Sequence, residues 1–467
     1  MAKFVRPAPS WPYPYAPAFA PMARPTDVVK VPFCRAAGVI GAEINFEVWM
    51  PLAWNGRYQM VGNGGLSGAI NYPTMGTALS NRYATSSTDT GHKTEQGFFD
   101  SSWVAGHPQR VINFGHRANH VVTQAAERII ATFYGEPARY SYFTGCSAGG
   151  AAALSEAQKY PEDFDGVVVG APASNFVRLL MQAVMDRQAT LRQPEGNLSQ
   201  STRDLIAKAA TAKCDPQDGV VDGIVSRPDA CDFDPVELQC KGEQQDGCLN
   251  PAQVKRAQDA YAPRRQTAAG TQLYPGRAPG TRTFAPNLTP PAKGTSLEAF
   301  IPMALKQKPG WDETTFDPDK HLAAIETELG PTMDANDPDL RAFKKGGGRI
   351  LMYHGWADAG LSPYNSIDYY ERVAALTGSD DIDGWFRLFL APGMGHCDGG
   401  AGPNKFDALA ALEKWVEKNI APDTVIASRL TKEGKVDMTR PLCPYPKAAK
   451  YRGSGATNDA ANFVCAP

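Results

Sequence analysis

No Cys-x-x-Cys pair occurs in the 467 residues, which removes zinc-ribbon and thioredoxin-type sites. No apolar run approaches the roughly 18 residues of a membrane-spanning helix. Neither sign of charge is in excess. Lys and Arg number 47, Asp and Glu 49, and the net charge is −2, so nothing global draws the chain to nucleic acid or an anionic membrane. Internal repeats and low-complexity runs are absent. The unbroken apolar segment of a secretory leader is missing too, because prolines interrupt every apolar stretch of residues 1–24. Histidine is scarce, with seven in all, so every candidate base can be weighed individually.

What is present is ordinary globular composition, 43% hydrophobic and 21% charged, with 44 Gly and 38 Pro that predict many loops. There are nine cysteines: Cys34, Cys146, Cys214, Cys231, Cys240, Cys248, Cys397, Cys443 and Cys465. Several fall close together in sequence (214 and 231, 240 and 248, 443 and 465). Disulfides closing such loops are plausible and imply an oxidising compartment. Buried reduced thiols are the alternative. An odd count leaves one cysteine over, and Cys34 stands alone near the start. A secreted cysteine pattern with no leader suggests that the leader has been removed and that the protein is secreted or periplasmic.

The hydrophobic pattern has the rhythm of a parallel α/β sheet. Residues 44–50 and 57–61 read as strands, the second running into Gly62-Asn63-Gly64-Gly65. Residues 119–134 have helical apolar spacing and stop at Gly135. A strand over 139–144, a tight turn over 145–149, a small-residue helix over 150–159 and a buried strand over 164–169 follow. From 173 to 345 the chain is polar, Pro-rich and loop-rich. After Gly346-Gly347-Gly348 the rhythm resumes, with strands over 349–354 and 385–390 and helices over 366–376 and 405–419. The expected organisation is one α/β domain, residues 1–172 and 346–467, split by a lid domain over 173–345.

Gly145-Cys146-Ser147-Ala148-Gly149 matches G-x-S-x-G between a strand and a small-residue helix, the setting of a nucleophile elbow. A serine hydroxyl needs a base, and the base an orienting acid, in the order Ser, Asp, His. His396 lies in a Gly-rich loop after one strand, and Asp358 in the loop after the preceding strand, which ends at His354. Both loops belong at the carboxyl edge of the sheet, where ligands bind. Cys146 precedes Ser147 and Cys397 follows His396. A Ser147–His396 hydrogen bond would bring their neighbours within disulfide reach. The rival reading makes Cys146 a thiol nucleophile, but Ser147 holds the central motif position. The backbone N–H of Ala148, with one from Gly64 or Gly65, would form the oxyanion hole.

A second cluster lies in the insertion, where Asp215, Asp218 and Asp222 crowd into Cys214–Ile224 with two glycines. Oxygen-only ligands favour Ca2+, with the carbonyls of Val220 and Ile224 completing the cage. The spacing is not that of an EF-hand. A solvated acidic turn is the plain alternative.

Together these residues resemble the tannase/feruloyl esterase family, which also includes the hydrolase of mono(2-hydroxyethyl) terephthalate. Its CS–D–HC constellation is matched by Cys146-Ser147, Asp358 and His396-Cys397. Further matching strings are Thr88-Asp89-Thr90-Gly91-His92, the Asp215–Ile224 loop, Trp311-Asp312, Phe316-Asp317-Pro318, and the tail from Arg440 to Cys465. The resemblance implies an α/β-hydrolase core, a lid with structural Ca2+, and disulfides 146–397, 214–231, 240–248 and 443–465. It implies a serine esterase acting through an acyl-enzyme on small or plant-polymer-linked aromatic esters, feruloyl or galloyl. Terephthalate-monoester hydrolysis is the alternative. It is weakened because Leu361 stands where that enzyme has a Phe after its catalytic Asp, and because no lid Arg can be assigned to the substrate carboxylate. A calcium-dependent binding protein without chemistry is the other class. The lid aromatics that could meet substrate are Phe176, Tyr261, Phe284 and Trp311.

Overall fold

The computed structural model describes residues 3–5, 29, 31–94, 99–242, 247–281, 299–306, 312–378 and 381–467. Thirteen strands lie among them: β1 (Lys3–Val5), β2 (Phe33–Ile40), β3 (Ile44–Pro51), β4 (Arg57–Val61), β5 (Ala84–Thr88), β6 (Tyr140–Cys146), β7 (Gly166–Gly170), β8 (Arg349–Gly355), β9 (Phe386–Ala391), β10 (Val425–Leu430), β11 (Val436–Leu442), β12 (Ala448–Tyr451) and β13 (Phe463–Ala466). The first nine form one sheet in the order β1-β2-β3-β5-β4-β6-β7-β8-β9. Pairing is antiparallel from β1 to β5 and parallel from β5 to β9. Helices flank the sheet, as a parallel sheet requires to bury both faces. This is the α/β architecture that the sequence pattern predicts.

The central strand β7 reads GVVVG and is buried along its whole length. Val167, Val168 and Val169 face helices on opposite sides, each worth roughly 1.5–3 kcal/mol of burial. The expected helix over 119–134 runs Ala118–Tyr134 and ends at Gly135, whose φ of 78° is the left-handed C-terminal turn. The small-residue helix runs Ala148–Lys159, starting two residues earlier than the pattern suggests.

β7 and β8 are hydrogen-bonded neighbours, so the chain between Gly170 and Arg349 leaves the sheet and returns to it. That segment is more helical than its polar, Pro-rich text suggests. It contains helices Phe176–Arg192, Gln200–Cys214, Pro251–Tyr261 and Pro318–Met333. Its long polar faces mask the apolar spacing that packs them. Ile206, Ala210, Val254, Ala257 and Tyr261 share one core inside the insertion. A second core mixes Phe176, Leu180, Phe300 and Ile325 with Leu66, Trp103 and Val111 from before it. The insertion is thus welded to the sheet's loops rather than tethered beside them.

The C-terminal hairpins β10–β11 and β12–β13 lie outside the sheet. Phe463, Ala449 and Cys443 pack on Val220, so the tail docks against the aspartate-rich loop.

Candidate active site

β6 ends at Cys146 and the next helix begins at Ala148, leaving Ser147 alone at the bend with φ 64° and ψ −124°. A non-glycine residue held there stores about 1–3 kcal/mol of strain. The surroundings fix it. Ser147 N–H donates to the Gly170 carbonyl (3.0 Å), and the Ser147 carbonyl accepts from Ala151 (3.0 Å) and Ala173 (3.1 Å). The motif glycines are steric necessities. A Cβ on Gly145 would lie 2.2 Å from the Gly149 carbonyl oxygen, and one on Gly149 would lie 2.7 Å from that of Asn63.

The loops that carry Asp358 and His396 follow β8 and β9 and are zipped together by backbone bonds. Trp356 N–H donates to Ala391 O and Ala357 N–H to Met394 O, both at 2.9 Å. This sets Asp358, fully buried, against His396, whose Nδ1 lies 2.7 Å from Asp358 Oδ2. His396 is 24% exposed, so the ring reaches solvent from a buried anchor. Cys146 and Cys397 are disulfide-bonded with Cα atoms 5.9 Å apart, across 251 residues of sequence. The bridge therefore joins the residue before Ser147 to the residue after His396. No direct Ser147–His396 hydrogen bond is present among the described residues, in keeping with the looser contacts of ligand-free sites.

Asp358 has more partners than sequence reasoning gave it. Its Oδ1 accepts the backbone N–H groups of Gly360 (2.8 Å) and Leu361 (2.9 Å), and its Oδ2 also meets His354 Nε2 at 3.1 Å. His354 is itself fully buried and held by Ser366 Oγ at 2.8 Å through Nδ1. Burial opposes ionisation of Asp358, but the charges and hydrogen bonds of His396 and His354 outweigh it and hold the carboxyl well below its ordinary range. Burial likewise disfavours a charged His396, yet the Asp358 carboxylate prevails and raises its proton affinity. His354 was legible only as the end of a strand. Its spacing of four residues from Asp358 was the available signal.

The Gly62–Gly65 segment reaches the elbow. Gly62 N–H donates to Thr144 O at 2.9 Å, and a Cβ on Gly62 would lie 2.9 Å from Gly149 Cα. Gly64 and Gly65 stand in this loop beyond β4, Gly65 with φ 58°. The Thr88–His92 string braces the loop. Asn63 Nδ2 donates to Thr88 O (2.7 Å), and His92 Nε2 meets Leu66 O (2.9 Å) while the ring stacks on Trp103. Burial drives the His92 pKa down to about 4, which keeps this brace neutral. A cavity beside Ala148 is lined by Asn63, Thr90, Phe114, Phe176 and Met333. Of the four lid aromatics, Phe176 thus lines the same cavity as Ala148. Tyr261 lies in the insertion's own core, and Phe284 and Trp311 fall outside the described residues.

The aspartate loop is knotted by its own side chains. Asp215 accepts from Asp222 N–H (3.2 Å) and Gly223 N–H (2.8 Å), Asp218 from Val220 N–H (2.9 Å) and Ser226 Oγ (2.5 Å), and Asp222 from Ile224 N–H (3.1 Å). The second Asp222 oxygen meets Arg440 of β11, 2% exposed, whose guanidinium sits 3.9 Å over the Phe463 ring. Burial, then the neighbouring Asp215 and Asp218, push the Asp222 carboxyl up against the pull of Arg440. The loop is closed by Cys214–Cys231, while Cys240–Cys248 and Cys443–Cys465 clip the insertion and tail. Cys34 is buried and unbridged. No helix among the described residues is long and apolar enough to cross a membrane.

A family model described as tannase and feruloyl esterase matches residues 26–466. The chain is 35% identical to mono(2-hydroxyethyl) terephthalate hydrolase of Piscinibacter sakaiensis, over 91% of this chain and 81% of that one. It is 33% identical to a probable feruloyl esterase B-2 of Aspergillus terreus, over 94% and 86%. The crystal structure of feruloyl esterase B from Aspergillus oryzae superposes with a TM-score of 0.85 at 29% identity, covering 100% of this chain and 97% of that one.

Proposed function

The chain belongs to the tannase and feruloyl esterase family of carboxylic ester hydrolases, and from that premise we propose that Ser147, His396 and Asp358 hydrolyse esters of aromatic acids. The observation that carries the assignment of residues is the buried Asp358–His396 bond beside the Cys146–Cys397 bridge. Ser147 Oγ attacks the ester carbonyl carbon as its proton passes to His396 Nε2. Asp358, bonded to Nδ1, fixes the tautomer and stabilises the imidazolium. The oxyanion is received by the Ala148 N–H, first in the helix that starts at the elbow, and by an N–H of the Gly64-Gly65 loop. Collapse expels the alcohol, which takes the proton from His396. Water then enters, loses its proton to His396 and attacks the acyl-serine, and Ser147 leaves with that proton as the free acid departs.

The apolar and aromatic wall beside Ala148, formed by Phe114, Phe176 and Met333, suits a planar aryl acyl group. Feruloyl or galloyl esters are the substrates this reading favours. A terephthalate monoester is disfavoured because Leu361, 7% exposed, offers its backbone to Asp358 and no aromatic ring to a substrate. Initial rates on methyl ferulate, methyl gallate and mono(2-hydroxyethyl) terephthalate test this order. A kcat/KM highest on the terephthalate ester would reverse it. No turnover of p-nitrophenyl acetate would sink the residue assignment and leave a binding protein on a hydrolase scaffold.

The aspartate loop fits structural Ca2+ in the insertion. Its donors are all oxygen, and one guanidinium stands against three carboxylates. Asp215, Asp218 and Asp222, with the carbonyls of Val220 and Ile224, would hold the ion, whose chemistry there is to neutralise and rigidify. Residues 173–345 would act as the lid domain, and residues 1–172 with 346–467 as the catalytic domain. Four disulfides support a secreted or periplasmic setting.

A further inference from the structure

We propose that His120, Glu156 and Asp163 form a second cation site, for a divalent transition ion with zinc as its probe, at the end of the Ala148–Lys159 helix remote from Ser147. His120 lies on the helix Ala118–Tyr134, Glu156 near the end of Ala148–Lys159, and Asp163 in the turn before β7. One ligand atom from each lies within 4.8 Å of the other two.

The arrangement is more than an acidic cluster. Glu156 is 1% exposed, and neither of its carboxylate oxygens has a hydrogen-bond partner. Buried carboxylates are normally paired, because removing the group from water is otherwise uncompensated. Burial and the neighbouring Asp163 carboxylate both oppose its ionisation, so without a cation the two carboxyls hold a proton between them. An imidazole completes the set. His120 Nδ1 lies 2.6 Å from Asp163 Oδ2, and its ring is stacked on Tyr160 with centroids 3.8 Å apart and planes 6° off parallel. Tyr160 is in turn held through its hydroxyl by His116 Nδ1 at 2.8 Å. One nitrogen and two carboxylates, with positions left for water, is a zinc-type donor set and differs from the oxygen-only aspartate loop.

The site is approachable. His120 is 21% and Asp163 12% exposed. Asp163 also lines a surface cavity with Glu127, Glu162 and Asp165 against the single cation Lys345, so the entrance attracts cations. The ion would tie two sheet-flanking helices to the start of β7. Glu156 lies about 12 Å along the helix axis from Ala148, so the role is to brace the nucleophile helix from its far end and not to join the chemistry.

The test uses untagged full-length protein, stripped by chelation, dialysed and kept in excess calcium so that the aspartate loop is not the variable. Wild type should take up one zinc per chain by elemental analysis and gain about 2 °C or more in Tm with zinc. Glu156→Gln, which preserves shape, should lose both responses while melting cooperatively without zinc. His120→Ala, at a partly exposed position, is the second variant should Glu156→Gln fold poorly. Cobalt substitution should give visible ligand-field bands in wild type and none in either variant. Absence of zinc uptake by wild type, or equal uptake by both variants, would overturn the site and leave Glu156 and Asp163 as a carboxyl pair sharing a proton.

Discussion

The loop that holds Asp358 and the loop that runs from Asp215 to Ile224 both sit beside a disulfide, and they treat buried carboxylate charge in opposite ways. Asp358 is a single carboxylate with four donors, two of them imidazoles. Its charge is fully met by the protein, and one of the donors, His396, is free to gain and lose a proton. The aspartate loop gathers three carboxylates on backbone N–H groups, one serine and one arginine. Its charge is met only in part. The first arrangement fixes the direction of one hydrogen bond, and the second leaves carboxylate charge that the proposed Ca2+ would neutralise. The disulfides divide the same way. Cys146–Cys397 joins the Ser147 turn to the His396 loop across 251 residues, whereas Cys214–Cys231 closes a span of 17 residues.

The contrast predicts that changes at the first loop strike rate and changes at the second strike stability. The largest effect should come from Ser147→Ala, with a loss of several orders of magnitude in kcat and an unshifted Tm. His396→Ala should match it, and Asp358→Asn should retain more because it orients rather than transfers a proton. A Ser147→Ala variant keeping more than about a tenth of the wild-type rate would remove the assignment. Next comes the double change Cys146→Ala/Cys397→Ala. A 1 Å displacement of a reacting group costs roughly 100-fold, and that is the fall in kcat expected here. Loop-closure entropy alone assigns about 5 kcal/mol to this bridge and about 3 kcal/mol to one closing a loop near 17 residues. Measured bridges follow that dependence weakly, so kcat and not Tm is the reading that decides. Full kcat in a folded double variant would show that the bridge does not hold the two loops in place.

A smaller effect is expected at His354, which touches Asp358 but not the substrate side of His396. His354→Gln should lower kcat about tenfold. Asp358 would then share less of its charge and hold the His396 proton more tightly, so the acid limb of the kcat/KM profile should move to higher pH. A drop in Tm with an unmoved pH profile would reduce His354 to a packing residue.

How much of this was legible in the sequence differs between the two loops. The Ser147 elbow, the order Ser, Asp, His and the cysteines flanking two of its members are local in sequence, and the parallel strands that align them carry strong apolar runs. His354 was hidden because its partner is set by the turn after β8. β5 was hidden as well. Its ATSST text has no apolar alternation, yet it lies buried in mid-sheet, with Ser86 bonded to Tyr58 and Ser87 accepting from Asn71 N–H. The helices of the insertion were obscured by prolines and polar faces. The Asp215–Ile224 spacing was legible, but not Arg440, which lies far along the chain and arrives through the docking of β11. Pairings fixed by tertiary packing leave no short-range pattern to read.

The last and smallest effect is on the aspartate loop, and the obvious variant does not measure it. Asp222→Ala would strand Arg440, buried and deprived of its ion-pair partner. Breaking such a pair costs about 3–5 kcal/mol whether or not a cation binds. Chelation of the unaltered protein avoids that cost. A cation present at a hundredfold over its dissociation constant contributes about 2.7 kcal/mol, or a Tm change of about 3 °C in a chain of this size. Chelation should lower Tm by that amount, and calcium, but not magnesium, should restore it. Asp218→Asn, which keeps the acceptor for Val220 N–H and leaves Arg440 paired, should lower the wild-type Tm and abolish the response to calcium. Residual activity per folded molecule should stay level throughout, because the three aspartates bond within their own loop, to Ser226 and to Arg440, and not to Ser147, His396 or Asp358. A Tm indifferent to chelation would mean that backbone N–H groups and Arg440 already satisfy the three carboxylates. The two loops would then differ only in which donors meet their charge, not in whether the charge is met.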